Sequence, residues 1–262
     1  DPSSGEQAKN LYEDAYKILD SVLENNEIRM SGVFGIFPAN SVGDDVEIYA
    51  GNDRKEVLEV AHFLRQQLDK KNNTPNYCLA DFIGMKEQKI DDYIGAFAVT
   101  AGHGVDSLVD KFESNHDDYN SILIKAIADR LAEAFAEHLH ERVRKEFWGY
   151  SPNEDFDNDS LIKESYVGVR PAPGYPACPD HSEKKMLFKL LDVENNTGMK
   201  LTENYAIYPA ASVAGFYFAS PHSQYFGVGK ISREQIENYA VRKNMTKKEV
   251  EKWLASNLDY NP

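Results

Sequence analysis

The chain has 262 residues, 42% hydrophobic and 27% charged, enough apolar material for one large globular unit with a real core. Lys and Arg total 29 against 43 Asp and Glu, a formal charge of -14, so a phosphate backbone would be repelled and nucleic acid is not an expected partner. No apolar run reaches the roughly eighteen residues of a membrane span, and the N-terminus has neither the basic nor the apolar region of a signal peptide, so no membrane contact and a cytoplasmic setting are expected. With Cys78 and Cys178 as the only cysteines, a disulfide framework is not expected. The chain opens without methionine, on Asp1-Pro2-Ser3-Ser4-Gly5, and reads as a fragment of something longer.

Ala8, Leu11, Tyr12, Ala15, Ile18, Leu19, Val22 and Leu23 recur at helical spacing and predict an amphipathic helix over 6–23. Val33 to Phe37 and Asp45 to Tyr49 read as short strands, with Pro38 and Gly43-Asp44 supplying the break. Val57, Leu58, Ala61, Phe63, Leu64 and Leu68 return to helical period over 54–70, and YCLADF and DYIGAFAVT read as buried strands. Between Asp118 and Trp148 an apolar stripe runs through Tyr119, Ile122, Leu123, Ala126, Ile127, Leu131, Ala134, Phe135, Leu139 and Val143, the pattern of a helix long enough to cross a domain. A polar loop over 149–160 and a short helix near 162–166 follow. A helix near 182–193 and strands at 205–208, 213–219 and 225–229 come next, and two terminal helices open on the capping boxes Ser232…Gln235 and Thr246…Glu249. Strands and helices do not alternate strictly, and hairpins flank the long helix. The expected fold class is therefore α+β: a single domain with a central, mainly antiparallel twisted sheet flanked by helices, one of them long.

Enzyme signatures are scarce: there is no GxxxxGK[ST], HExxH or GxSxG. Gly102-His103-Gly104 lacks the third glycine of a dinucleotide loop and reads as a turn. Cys178 and His181 are two potential ligands where a closed zinc site takes four, so no metal is expected. His138 and His140 lie two apart on the long helix and are expected at its surface. Arg142, Arg144 and Lys145 form a basic run that could dock an acidic partner or simply face solvent.

The segment Arg170-Pro-Ala-Pro-Gly-Tyr-Pro-Ala-Cys-Pro-Asp-His181 carries more information. Its prolines remove backbone donors and fix φ, predicting an extended, nearly rigid stretch. Gly174 permits close approach, Arg170 offers a planar fork suited to a carboxylate, and Tyr175 offers a π face and a hydroxyl. A stiffened connector is the alternative on residue types alone. In Ser220 to Lys230, Tyr225 and Phe226 are adjacent on a presumed strand, so one can cap a ligand while the other enters the core.

Together with GVFGIFPANSVGDDVEIY, LRQQ, NYCLADF, DYIGAFAV, DDYN, ADRLAEAFAEHLHERVRKEFWGY, TGMKLTE and EKWL, this segment resembles the activation domain of cobalamin-dependent methionine synthase, from about residue 5 to the end. The resemblance implies the C-terminal module, spanning residues 1–262 here, of an enzyme that moves a methyl group from methyltetrahydrofolate through cobalamin to homocysteine. It implies binding of S-adenosylmethionine for remethylation of oxidised cobalamin, with an electron from flavodoxin or a related flavoprotein reductase. Cobalamin would be carried by the neighbouring cobalamin-binding domain, and zinc would belong to the full enzyme rather than to this domain. By resemblance, Arg170 meets the ligand carboxylate, Ala172 bonds it through the backbone, and Gly174, Tyr175, Tyr225 and Phe226 complete the site. Phe226 replaces a tyrosine often found there, and Glu133 partners the ammonium. Tyr175 and His181 face the cobalamin domain. The implied mechanism is positioning, with no catalytic residue and no turnover by the isolated domain. The family also uses an aspartate from a segment preceding this chain, so weaker binding than by the complete domain is expected. A docking module without its own ligand and an independent small-molecule methyltransferase are the competing readings.

Overall fold

The structure is a computed structural model that describes residues 2–71 and 74–262, the side chains of residues 2 to 4 excepted. Its centre is the pairing of β1 (Arg29–Val42) with β4 (Asp92–His103), antiparallel from Gly32 opposite Val99 to Ala39 opposite Asp92. β2 (Asp45–Tyr49) folds back on β1 across Gly43-Asp44, and β3 (Val57–His62) pairs with β2. On the other side β7 (Ser212–Tyr217) pairs with β4, giving a five-stranded antiparallel sheet in the order β3-β2-β1-β4-β7. Lys200–Leu201 (β5) and Ile207–Tyr208 (β6) form a separate small ribbon.

β4 is buried almost throughout, and its side chains alternate between two cores as the strand period of two requires. Phe97 and Val99 point to one face, where they meet Ala136, Leu139 and Val143 of the long helix region. Ala96 and Ala98 point to the other, joining Phe216, Phe218, Leu187, Leu191 and Val193. The helices on the second face are α5 (Glu183–Leu190) and α6 (Val193–Thr197). On the first face lies α3 (Asp118–Arg142), continued by a π turn at Val143–Phe147. Ala128, Ala132 and Ala136, spaced one turn apart, are buried on it, and their small side chains let the helix sit down on the sheet. α1 (Pro2–Glu24) and α2 (Val105–Ser114) pack at the N-terminal end of α3.

The α+β architecture is as expected; several local expectations are corrected. β1 does not break at Pro38, which pairs opposite Tyr93. β2 joins only from Ala39 onward, so the proline sits where β1 has a strand on one side alone and its missing N–H costs no second ladder bond. Residues 54–70 hold no helix: Val57 and Val60 are β-branched, and the open edge of β2 captures the segment as β3, followed by extended chain. YCLADF is buried but forms a 3₁₀ turn over Leu79–Phe82, because Asp81 bonds back to the Cys78 N–H at 2.9 Å. α2 was not expected from the residues. The long-helix stripe is rotated from the expected one: Tyr119 and Ile122 are 51% and 67% exposed, while Ser121, Ile124 and His140 are buried. Residues 225–229 run as irregular extended chain rather than as a strand.

α4 (Asn158–Ile162) precedes the proline-rich segment, while α7 (Arg233–Lys243) and α8 (Lys247–Trp253) close the chain. The Thr246/Glu249 capping box is complete. In the other, Ser232 caps Gln235 N, but the Gln235 side chain turns away to bond both backbone groups of Arg65. α7 is pinned to the proline segment by Lys243, which bridges the buried carboxylates of Asp180 and Glu183, with Tyr239 donating to Asp180 at 2.9 Å. Burial pushes the Glu183 carboxyl above its ordinary range. At Asp180 the same burial is outweighed by the Lys243 charge and by Ser182, which leave it below that range.

Lys243→Met would strand two buried anions and is expected to destabilise the fold by about 3–5 kcal/mol at neutral pH. Without the cation both folded-state carboxyl pKa values rise, and a raised carboxyl favours the fold as pH falls. The deficit relative to wild type should therefore shrink from about pH 7 to about pH 5 in denaturant melts. A pH-independent deficit would contradict the assignment.

Candidate ligand-binding site

The proline-rich segment starts as an extension of the sheet: Val169 exchanges backbone bonds with Phe218, and Phe216 N–H donates to Pro171 O at 2.9 Å. It then folds into two consecutive turns rather than the extended run expected. Tyr175 N–H donates to Ala172 O at 3.1 Å around Pro173-Gly174, and Cys178 N–H donates to Tyr175 O at 2.9 Å around Pro176-Ala177. Proline at the first central position and glycine at the second are what a type II turn requires, and Gly174 has φ 98°. A third bond, Gly174 N–H to Cys178 O at 2.7 Å, ties the two turns together. The segment is turned rather than extended because Pro-Gly and Pro-Ala each close on a carbonyl three residues back.

These turns form one wall of a cavity of about 480 Å³ whose lining includes Arg170, Ala172, Tyr175, Tyr225, Phe226 and Glu133. Gly174 and His181 are outside it. Gly174 instead sits beneath the His181 imidazole: a Cβ there would lie 2.3 Å from Cε1. His181 is exposed and its Nδ1 is 2.7 Å from Lys184 Nζ, with burial and then the lysine charge holding its pKa below the ordinary histidine value. Tyr175, 55% exposed, stands at the mouth. The second aromatic stretch is joined directly to the first. Arg170 N–H donates to the Tyr225 hydroxyl at 3.0 Å, and Val228 N–H donates to Pro176 O at 2.8 Å. Phe226 turns its ring towards Tyr77 and Phe82 in the core, while Tyr225 stays at the cavity, so the two diverge without a regular strand.

Arg170 is largely covered. Its Nη1 lies 2.6 Å from Glu137 Oε2 and donates to the Tyr166 hydroxyl, whereas Nε and Nη2 make no hydrogen bond among the described residues. That edge is a planar fork of the kind suited to a carboxylate. Behind it, His140 is fully buried and stacks on Tyr217, with centroids 4.8 Å apart, and Tyr217 stacks on Phe97 at 4.6 Å. The expectation of a surface His140 is thus corrected: burial, with Arg144 and Arg170 nearby, holds this imidazole neutral well below the ordinary histidine value. The basic run is not a unit either. The π turn carries Arg144 inward to a bidentate pair with Glu154 at 2.7 Å, while Arg142 and Lys145 pair with Glu146 and Glu141.

Glu164, which the sequence reading missed, also lines the cavity. It follows α4 in a left-handed conformation, φ 53°, and partial burial pushes its carboxyl above the ordinary range. The signal for it was faint: a short helix ending just before Val167-Gly168-Val169 leaves its last residues beside Arg170. The described lining thus pairs a cationic fork with two carboxylates, aromatic faces and small alanines. With no serine, cysteine or histidine in it, the arrangement is chemically suited to holding a zwitterionic or cationic ligand.

The profile of the family described as vitamin B12 dependent methionine synthase, activation domain, matches residues 1–244. Among solved structures, one described as the MetH reactivation domain bound to AdoHcy is similar at 56% identity and a TM-score of 0.96, covering 98% of this chain and 79% of that one.

Two substitutions test the geometry. Gly174→Ala is expected to cost about 1–2 kcal/mol from the left-handed backbone alone, with further loss from displacing His181, measured by thermal unfolding. For His140 the folded pKa is depressed below the unfolded value of 6.5, so its contribution is full above that value and is lost as pH falls below it. His140→Asn should flatten the decline of melting temperature between about pH 7 and pH 5; an unchanged slope would show that His140 is not held neutral.

Proposed function

The chain belongs to the activation-domain family of vitamin B12 dependent methionine synthase, and from that premise we propose that the cavity at Arg170 binds S-adenosylmethionine and presents its methyl group for reductive remethylation of cobalamin. The observation that carries the reading is Arg170, whose Nε and Nη2 make no hydrogen bond among the described residues and which lines one cavity with Glu133 and Glu164. It is supported by close similarity to a domain described as bound to AdoHcy.

The ligand has a carboxylate, an ammonium, a sulfonium and a flat adenine. The Arg170 fork takes the carboxylate in two parallel bonds. Glu133 and Glu164 balance the ammonium and sulfonium charges. Ala172 makes no backbone N–H bond to another described residue and supplies a donor, and the Tyr175 and Tyr225 rings bound a slot for the adenine. Gly174 serves from outside the cavity, by letting the turn close under His181. A volume of about 480 Å³ suits a ligand of this size.

The sulfonium already has a good leaving group, so no general acid or base is needed. Cobalamin, brought by the neighbouring cobalamin-binding domain and reduced by flavodoxin or a related flavoprotein in the cytoplasm, supplies the nucleophile. What this chain contributes is alignment: two hydrogen-bonded turns and a braced arginine fix the donor before the acceptor arrives. Tyr175 and His181, exposed beside the mouth, form the face that meets the cobalamin domain. Alone, the chain binds without turning over.

Calorimetric titration with AdoHcy tests the site: Arg170→Ala should weaken binding about ten- to a hundredfold, the loss of a charge-assisted pair, and unchanged affinity would overturn the assignment. His181→Ala should leave that affinity intact and slow reductive remethylation in the complete enzyme. An unaltered rate would remove it from the docking face.

A further inference from the structure

The side chain of Arg170 is held from one side only. Nη1 is taken by Glu137 Oε2 at 2.6 Å and by the Tyr166 hydroxyl, and both carboxylate and guanidinium are mostly covered. Glu137 itself is held from behind. Its other oxygen, Oε1, is buried, lies 3.7 Å from Arg144 Nη1, and has no hydrogen-bond partner among the described residues. Arg144 is fully buried and fixed by its bidentate grip on Glu154. Charges therefore alternate from the interior to the cavity: Glu154, Arg144, Glu137, Arg170. An arginine free to rotate would surrender rotamer freedom on meeting a ligand, and a guanidinium engaged through its Nε/Nη2 edge would not have that parallel pair to offer.

We propose that Glu137 is a positioning residue for carboxylate recognition: by occupying Nη1 it turns the Nε/Nη2 edge of Arg170 to the cavity. Glu137 acts through the arginine and touches no ligand. The inference rests on the ligand reading above and adds to it a residue whose removal should affect one functional group of the ligand and spare the rest.

The test compares AdoHcy with its decarboxylated analogue, which keeps the adenosine, thioether and ammonium but lacks the carboxylate. In calorimetric titrations Glu137→Gln should bind AdoHcy about tenfold more weakly than wild type and bind the analogue within about twofold of wild type. Equal losses for both ligands would reveal a general structural defect and overturn the proposal, as would undiminished AdoHcy binding. Should Glu137→Gln fail to fold, Glu137→Asp keeps the charge but withdraws the carboxylate by one methylene, and the same ligand-selective loss is expected. Wild-type protein that does not bind AdoHcy would overturn the ligand reading and this inference together. Wild-type binding with an unaffected variant would overturn this inference alone.

Discussion

Arg170 is the residue on which the arrangement turns, because two constraints meet in it. Its backbone N–H is tied to the Tyr225 hydroxyl, which fastens the irregular 220–230 stretch to the start of the proline turns. Its guanidinium is tied to Glu137 on the long helix, which fastens those turns to the face of the sheet that α3 covers. A charge withdrawn this far from water is tolerable only when paired and hydrogen-bonded, so the site requires the helix, the loop and the aromatic stretch to assemble together. The buried Arg144–Glu154 pair and the neutral His140 stacked on Tyr217 extend the same requirement into the core.

The fold supplies this assembly with little choice left to the loop. β4 and β7 present alternate side chains to two cores, and the alanine row of α3 sets the helix close enough for Glu133 and Glu137 to reach the cavity and its wall. On the opposite side of the segment, Asp180 is clamped by Lys243 and Tyr239 from the C-terminal helices. Between these anchors the two proline turns have few conformations open to them, which lowers the entropic cost of ordering the wall when a ligand binds.

Much of this was legible in the residues. Apolar periodicity located the central strand at 92–100 and the long helix, turn and cap residues located the chain's C-terminal helices, and the residue types in the proline segment marked Arg170 and Tyr175, to which the family resemblance added Ala172. What stayed hidden depended on distant partners. Residues 54–70 carry an apolar spacing that serves helix or strand, and only the open edge of β2 decides between them. His140 has nothing in its neighbourhood to announce burial; the π turn and the Tyr217 ring create its environment. Glu164 and Glu137 look like any surface carboxylates until the fold brings them beside Arg170. The turned shape of the proline segment was available from Pro173-Gly174 and was obscured by reading four prolines as extension.

On the proposed reading, a cavity shaped before ligand arrives recognises the amino-acid end of an adenosyl thioether through one edge of one arginine. A crystal structure of this chain with AdoHcy tests it most directly. The account predicts the carboxylate within hydrogen-bond distance of Arg170 Nε and Nη2, the Glu137 contact at Nη1 intact, and the two proline turns unmoved. A ligand whose carboxylate faces away from Arg170, including one seated in the adjoining groove that Arg170 and Glu164 share with His138, Glu141 and Asn158, would contradict it.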